Sequence, residues 1–265
     1  LPISFIRLLA GKYVAGENYK DVLKICKELN KEGYSSTIDI LGEHSKNLPD
    51  AEHIKNEYLN LFKSINKLKL DCNISVKPTH LGLDISTECA KTNLLSITEA
   101  AKSNNNFLRI DMENSLTTDS TINLYNACKE KYINTGMVIQ AYLYRSMSDL
   151  KKLCKDKSFN FRLCKGIYNE DPEIAIQDRL KINENFIKLL DYAFRKKIYV
   201  GIATHDLSLL DAAYKLINKY NVNKNHFEFQ VLYGVPMAGW LKKHLQNGYK
   251  VRVYLPFGPD WYDYS

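Results

Sequence analysis

Short runs of β-branched and aromatic residues recur along the chain, separated by longer stretches whose apolar positions return every three or four residues. The runs predict strands at SSTIDIL (35–41), ISVK (74–77), FLRID (107–111), MVIQAY (137–142), FNFRLC (159–164), IYVGIAT (198–204), FEFQVL (227–232) and KVRVYL (250–255). The longer stretches predict helices at 18–32, 50–68, 86–102, 118–132, 146–156, 173–197, 207–220 and 236–247. Ser, Asp and Pro stand where helix starts are expected, as with Pro172 ahead of EIAIQDRL. Strands alternating with helices imply a parallel sheet of the α/β class, and right-handed crossovers close it most simply into a (β/α)8 barrel. An open doubly wound sheet is the runner-up, but no GxGxxG follows the first strand. After the eighth strand the sequence reads PFGPDWYDYS and ends, so the eighth outer helix is expected to be missing from it.

Composition agrees with this picture. At 265 residues the chain has the length of such a barrel, usually about 250 residues, and one catalytic domain spanning 1–265 is expected. Hydrophobic residues make up 45% and charged residues 25%, a balance that buries a core rather than staying disordered. The net charge of +7 is spread over helices with acidic residues interleaved, as in NKLKLD, which marks solvated faces rather than a nucleic-acid footprint. A basic balance also suits loose contact with an anionic membrane surface. Cys26, Cys72, Cys89, Cys128, Cys154 and Cys164 form no CxxC pair, so reduced thiols in a cytoplasmic compartment are expected. No apolar run approaches the ~20 residues of a membrane span, and LPISFIRLLAG lacks a signal layout. Without an initial Met, the sequence is expected to begin inside a longer chain.

Candidate chemistry sits at strand ends. The interior of such a barrel is expected to be filled by apolar layers, so polar residues at the last strand positions face the βα loops, where reactions occur. Asp39, Lys77, Asp111, Gln140, Arg162 with Lys165, Thr204 with His205, Gln230 and Tyr254 occupy such positions. Singly, Lys77 reads as a solvated strand end, Gln140 as a hydrogen-bonded core amide and Tyr254 as a packing residue. Gathered at one end they read as a site, because each buried polar group needs its own partner. Lys77, Arg162 and Lys165 outweigh Asp111 and Asp39, so an anionic ligand is expected. No His/Cys/Asp cluster has metal spacing, no GxSxG occurs, and His205 has no evident serine or thiol partner, which disfavours metal hydrolysis and acyl transfer.

The motifs RLCKGIY (162–168), ATHD (203–206), FEFQVLYG (227–234) and VRVYLPFG (251–258) stand in this order on these strands. Together they resemble the proline dehydrogenase family of the single-function bacterial type. KYVAGEN (12–18), IDILGE (38–43), ISVKPTHLGL (74–83), RIDMEN (109–114) and VIQAYLYR (138–145) fit the same family, so the resemblance covers nearly the whole chain. It implies a flavoenzyme on a β/α barrel that binds FAD non-covalently and oxidises L-proline to Δ1-pyrroline-5-carboxylate. Electrons would pass to a quinone, with peripheral contact at the inner face of the membrane.

Carried over by motif, the resemblance places Arg162 against the reactive edge of the flavin and Gln140 at its pyrimidine end. Lys165, Gly166, Thr204, His205 and Gln230 would be further cofactor contacts. It gives Lys77 the substrate carboxylate, Asp111 the organisation of the charged pocket, and Tyr168 and Tyr254 the walls around the proline ring. Substrate would react as the free amine, with solvent taking the proton. Family members continue past a GxDWYPY-like motif into a YFxRR-like stretch whose arginines clamp the carboxylate; this sequence ends at Ser265 before those positions. Pro78 after Lys77 and Cys164 within RLxKG are smaller departures. Two other readings use the same barrel: a Schiff-base aldolase with Lys77 or Lys165 as nucleophile, and a barrel that binds a ligand without turnover.

Overall fold

The computed structural model describes residues 12–259. It opens with helix α1 (Tyr19–Lys31), then alternates β1 (Ser35–Ile40), α2 (Leu48–Leu68), β2 (Cys72–Val76), α3 (Thr87–Ser103), β3 (Leu108–Ile110), α4 (Thr118–Lys131) and β4 (Thr135–Gln140). The second half adds α5 (Ser146–Leu153), β5 (Asn160–Cys164), α6 (Arg179–Arg195), β6 (Tyr199–Ala203), α7 (Leu207–Tyr220), β7 (Phe227–Leu232), α8 (Trp240–Gln246) and β8 (Val251–Phe257). The strands close in sequence order into a parallel barrel, as the alternation predicts. The closing pair runs from Ser35 beside Arg252 to Ile40 beside Phe257. The expected loss of an eighth outer helix concerns positions past Pro259, outside the described residues.

Local chemistry sets the helix starts. Asn18, Asn47, Ser86, Asp178 and Asp206 each accept backbone N–H groups of the first turn, which have no partner within the helix. Two predicted starts are displaced. The helix expected from 173 begins at Arg179, because the preceding segment is held by the β4–α5 loop instead: Leu143 bridges Ala175, and the Ile176 N–H donates to the Tyr142 carbonyl at 2.8 Å. Pro172 therefore opens a turn, and Asp178 supplies the cap. The helix expected from 236 shortens to Trp240–Gln246, since Gly239 ahead of it takes φ +83.

The apolar layers expected inside the barrel are also not what fills it. Along a strand, side chains two apart share a face. Ile38, Ile74, Val76, Ile110, Phe161, Leu163, Ile202, Phe229 and Leu255 pack with helix residues such as Leu61, Phe62, Leu94, Leu189 and Ala213 in one cluster between sheet and helices. The alternate positions are largely polar and bond to one another across the lumen. Thr37 donates to Asn73, Arg109 reaches Asn160 Oδ1 at 2.7 Å, and Arg252 reaches Glu228 at 2.8 Å. Gly136 makes room for this, because a Cβ there would stand 2.6 Å from the Arg109 guanidinium.

Candidate active site

The strand ends and the following loops enclose a cavity of about 510 Å³. Lys77, Asp111, Gln140, Arg162, Lys165, Gly166, Tyr168, Thr204, His205, Gln230 and Tyr254 all line it, so the structure brings together every residue singled out from the sequence except Asp39. Asp39 lies one step behind, as the ion-pair partner of Lys77. Met112, Val138 and Leu232 give the cavity apolar wall. Clefts of 530 and 520 Å³ on the outer helices gather none of these residues.

Arg162 is the centre of the cavity's polar wall. Its Nη1 donates to Asp111 Oδ1 at 2.7 Å and its Nε donates to Gln230 Oε1 at 2.7 Å, while the guanidinium lies 4.9 Å from the Tyr254 ring centroid. Contacts from β5 to β3 and β7 span the lumen, which is possible only because those strands carry polar residues on their inner faces. Asp111 also accepts from Ser75 Oγ at 2.6 Å and from the Tyr254 hydroxyl at 3.1 Å. Burial is the largest influence and would lower the Arg162 guanidinium, but Asp111, with Tyr254, Cys164 and Asp39 adding to it, raises it above its ordinary value. Tyr254 is pushed well above its ordinary value by burial and by the negative charges of Asp111 and Asp39, so it stays a neutral donor.

A second pair stands beside the first. Lys77 donates to Asp39, and both are almost fully buried. Burial raises the Asp39 carboxyl against the pull of the Lys77 ammonium. The Tyr58 hydroxyl donates to Asp39 Oδ1 at 3.4 Å.

The far side of the cavity is organised by the β5 and β6 loops. Lys165 donates to Asp206 Oδ2 at 2.6 Å, and Asn183 donates to the same oxygen at 2.9 Å. Burial pushes the Asp206 carboxyl up, yet Lys165, Ser208 and Asn183 together hold it well below the usual carboxylate range. His205 accepts the Leu232 N–H at 2.9 Å, and burial lowers its pKa, which keeps the ring neutral. Gly166 sits at φ +107, in the left-handed region, and a Cβ there would strike the Tyr142 ring. Tyr168 donates its hydroxyl to Glu43 at 2.8 Å.

Gln140 has an incomplete set of partners. Its Nε2 donates to the carbonyls of Met112 (3.0 Å) and Glu113 (3.3 Å), whereas its buried Oε1 has no partner among the described residues. An unpaired buried acceptor costs free energy on the order of 1–3 kcal/mol. Because Gln140 lines the cavity, this acceptor is a candidate partner for a ligand N–H.

The sequence reading missed Ser75, Glu228, Asp206, Glu43 and Arg252, each of which holds a cavity residue or the residue behind it. A signal was present for three of them. In ISVK, FEFQ and VRVY the polar residue two before the strand end shares its face. Asp206 and Glu43 lie in loops, where partners are set by tertiary placement.

The comparisons with known proteins fall on the same region. A family profile described as proline dehydrogenase matches residues 22–260. Proline dehydrogenase 1 of Bacillus subtilis subsp. natto is 36% identical over 258 residues, covering 97% of this chain and 85% of that protein. Proline dehydrogenase of Deinococcus radiodurans is 30% identical over 262 residues, covering 97% and 84%. Among solved structures, proline utilization A from Bdellovibrio bacteriovorus inactivated by N-propargylglycine aligns with a TM-score of 0.89 at 25% identity. The match spans 97% of this chain and 31% of that larger one. Proline utilization A from Corynebacterium freiburgense, at TM-score 0.83 and 23% identity, covers 99% of this chain and 30% of its own, and shares the fold.

Proposed function

The chain belongs to the proline dehydrogenase family, and on that premise we propose that it oxidises L-proline to Δ1-pyrroline-5-carboxylate by hydride transfer to bound FAD, with a quinone as the final acceptor. Proline oxidation, the first step of proline catabolism, is the activity of this family. The cofactor, the hydride route, the acceptor and the residue roles are our reading of the site. The observation that carries it is the pairing of a fixed Arg162 with the unpartnered Oε1 of Gln140 on one apolar-walled cavity.

The residues present fit a flavin. Gln140 Oε1 offers an acceptor to the ring's pyrimidine N–H, and Met112, Val138 and Leu232 suit the apolar ring faces. Gly166 leaves backbone accessible where a side chain would intrude, and Lys165, Thr204 and His205 provide polar contacts for the ribityl, phosphate and adenine portions. All of these contacts are reversible, so binding is non-covalent. When bound, FAD supplies a two-electron acceptor for hydride from the carbon beside the substrate nitrogen.

The chain's own side chains do the rest. Arg162, pinned at two points, meets negative charge as it develops and needs no proton transfer to do so. Lys77 pairs with the substrate carboxylate, and Asp39 behind it stabilises the ammonium. Tyr168 and Tyr254 flank the substrate ring, and Asp111 orients both Arg162 and Tyr254. Hydride loss requires the lone pair of the substrate nitrogen, so the substrate reacts as the free amine. Solvent takes the released proton.

Lys77 and Lys165 are each engaged in an ion pair with a carboxylate, Asp39 and Asp206, so neither amine is presented to the cavity as a nucleophile and the aldolase reading has no support in this geometry. We extend the described barrel to a single catalytic domain over 1–265. No helix among the described residues is long and apolar enough to cross a membrane, and the proposed membrane contact is peripheral, through the basic surface.

A visible spectrum tests the reading. The purified protein is expected to be yellow, to be bleached by L-proline under anaerobic conditions, and to release its flavin on denaturation. Colourless protein that takes up no FAD when supplied would sink the proposal.

A further inference from the structure

Beneath the cavity floor the lumen holds a carboxylate to which none of these roles gives a task. Glu228, two residues before Gln230 on β7, is 1% exposed. Its Oε1 accepts from both Gln230 Nε2 at 2.6 Å and Arg252 Nε at 2.8 Å. Arg252 is itself anchored to the barrel wall, donating Nη1 to the Ser36 carbonyl at 2.7 Å. At its other end the Gln230 carboxamide presents its oxygen to Arg162 Nε at 2.7 Å. The contacts run unbroken from Arg252 through Glu228 and Gln230 to the guanidinium at the cavity.

A carboxamide can be turned over without changing its shape, so its orientation is chosen by its neighbours. Turned over, Gln230 would set its NH2 against the Arg162 N–H and its oxygen against the Glu228 carboxylate. Both contacts would be repulsive and buried. An ionised carboxylate only accepts, so Glu228 selects the orientation in which oxygen faces Arg162. Arg252 balances the charge of Glu228, and the selection adds no net charge below the cavity. Burial would raise the Glu228 carboxyl, but Arg252 holds it at about 2, so it stays ionised. Gly201 on β6 keeps the space open, since a Cβ there would collide with the Gln230 carboxamide. With Nε on Gln230 and Nη1 on Asp111, two points define the plane of the guanidinium.

We infer that Glu228 is a positioning residue: by fixing the Gln230 carboxamide it sets the plane in which Arg162 faces the reacting pair. This rests on the reading that flavin lies against Arg162.

Two variants test it. Glu228→Asp keeps a counter-charge for Arg252 but is one methylene too short to hold both partners. Glu228→Gln keeps the length, but a carboxamide that can present either its oxygen or its NH2 to Gln230 no longer selects the orientation. Each is purified with flavin bound, and its melting temperature, proline Kd, limiting rate of anaerobic flavin reduction and flavin midpoint potential are measured. Glu228→Asp is expected to fold and bind proline with nearly unchanged Kd. Its reduction rate is expected to fall about tenfold, the loss of one well-aligned hydrogen bond. Its midpoint potential is expected to move to a more negative value. Glu228→Gln is expected to lower the rate about tenfold as well, again with nearly unchanged proline Kd and a more negative potential. Either variant, folded and flavin-loaded, with wild-type rate and potential would overturn the inference. If one of the two does not fold, the other decides by the same readouts. Wild-type protein that takes up no flavin would overturn the cofactor reading instead, and shows itself before any variant is made.

Discussion

Asparagine at position 111 separates the charge of this residue from its hydrogen bonds. Asp111 Oδ1 accepts from Ser75 Oγ at 2.6 Å and Arg162 Nη1 at 2.7 Å, and Oδ2 accepts from the Tyr254 hydroxyl at 3.1 Å. The amide keeps an oxygen for the first two and turns an NH2 toward Tyr254, whose oxygen can accept. Only the counter-charge to a guanidinium 8% exposed is lost. Charge-assisted hydrogen bonds are worth roughly twice neutral ones, so Asp111→Asn is expected to cost about 1–2 kcal/mol of folding free energy. For a chain of this size that lowers the melting temperature by about 2–8 °C. In an Arg162→Met background there is no cation left to balance, and the same change is expected to cost nothing or to stabilise by removing an unpaired buried charge. Calorimetry on the four proteins gives the coupling, expected at about 1.5 kcal/mol. Additivity within about 0.5 kcal/mol would refute the ion pair as the organiser of the pocket.

Two further outcomes are expected. Tyr254 stacks beneath Arg162 and lines the cavity, so its ring leaves little room for a hydroxyl at C4 of the substrate and offers it an apolar wall. L-Proline should therefore exceed trans-4-hydroxy-L-proline in kcat/KM, and Tyr254→Ser should narrow the gap; equal wild-type efficiencies would remove Tyr254 from the pocket wall. Burial pushes the Glu113 carboxyl up to about 7, with Glu43 adding to the rise, while hydrogen bonds from the Thr79 hydroxyl and N–H oppose it. A carboxyl raised above its unfolded value holds its full stabilisation below about 4.5 and loses it as pH climbs through about 7. Glu113→Gln should accordingly gain in melting temperature relative to wild type at pH 8 compared with pH 5, and a pH-independent difference would contradict this.

The fold was legible because two periods alternate cleanly along the chain. Outward positions such as Ile38, Ile74, Leu163 and Phe229 carry the apolar signal of each strand, and the barrel needs nothing else to be recognised. Where the expectations failed, a nonlocal contact had overruled a local preference. Pro172 suits both the first turn of a helix and a β-turn, and only the hydrogen bond from Ile176 to Tyr142, thirty-four positions back, decides between them. The strand-end residues were legible because their face and depth follow from the strand period. Asp206 and Glu43 were not, because a loop carboxylate announces neither of the partners it holds, Lys165 and Tyr168.

The polar lumen was the larger surprise, and it has a physical logic. Apolar layers would stabilise the barrel with no demand for partners, whereas Arg109, Glu228, Arg252 and Asp111 must each be satisfied at fixed geometry. Stability is left to the outer faces of the strands, where the apolar cluster between sheet and helices is continuous. The inner faces are thereby released to act as a rigid polar frame, in which a side chain at the cavity is held by one beneath it rather than by solvent. Arg162 shows the consequence: a guanidinium on a solvated loop would lose its orientation to rotamer freedom, but here Asp111 and Gln230 fix it before any ligand arrives. A frame of this kind fails as a unit, so substitutions within it should couple strongly, while substitutions on the outer faces should lower stability and leave the chemistry of the folded fraction unchanged.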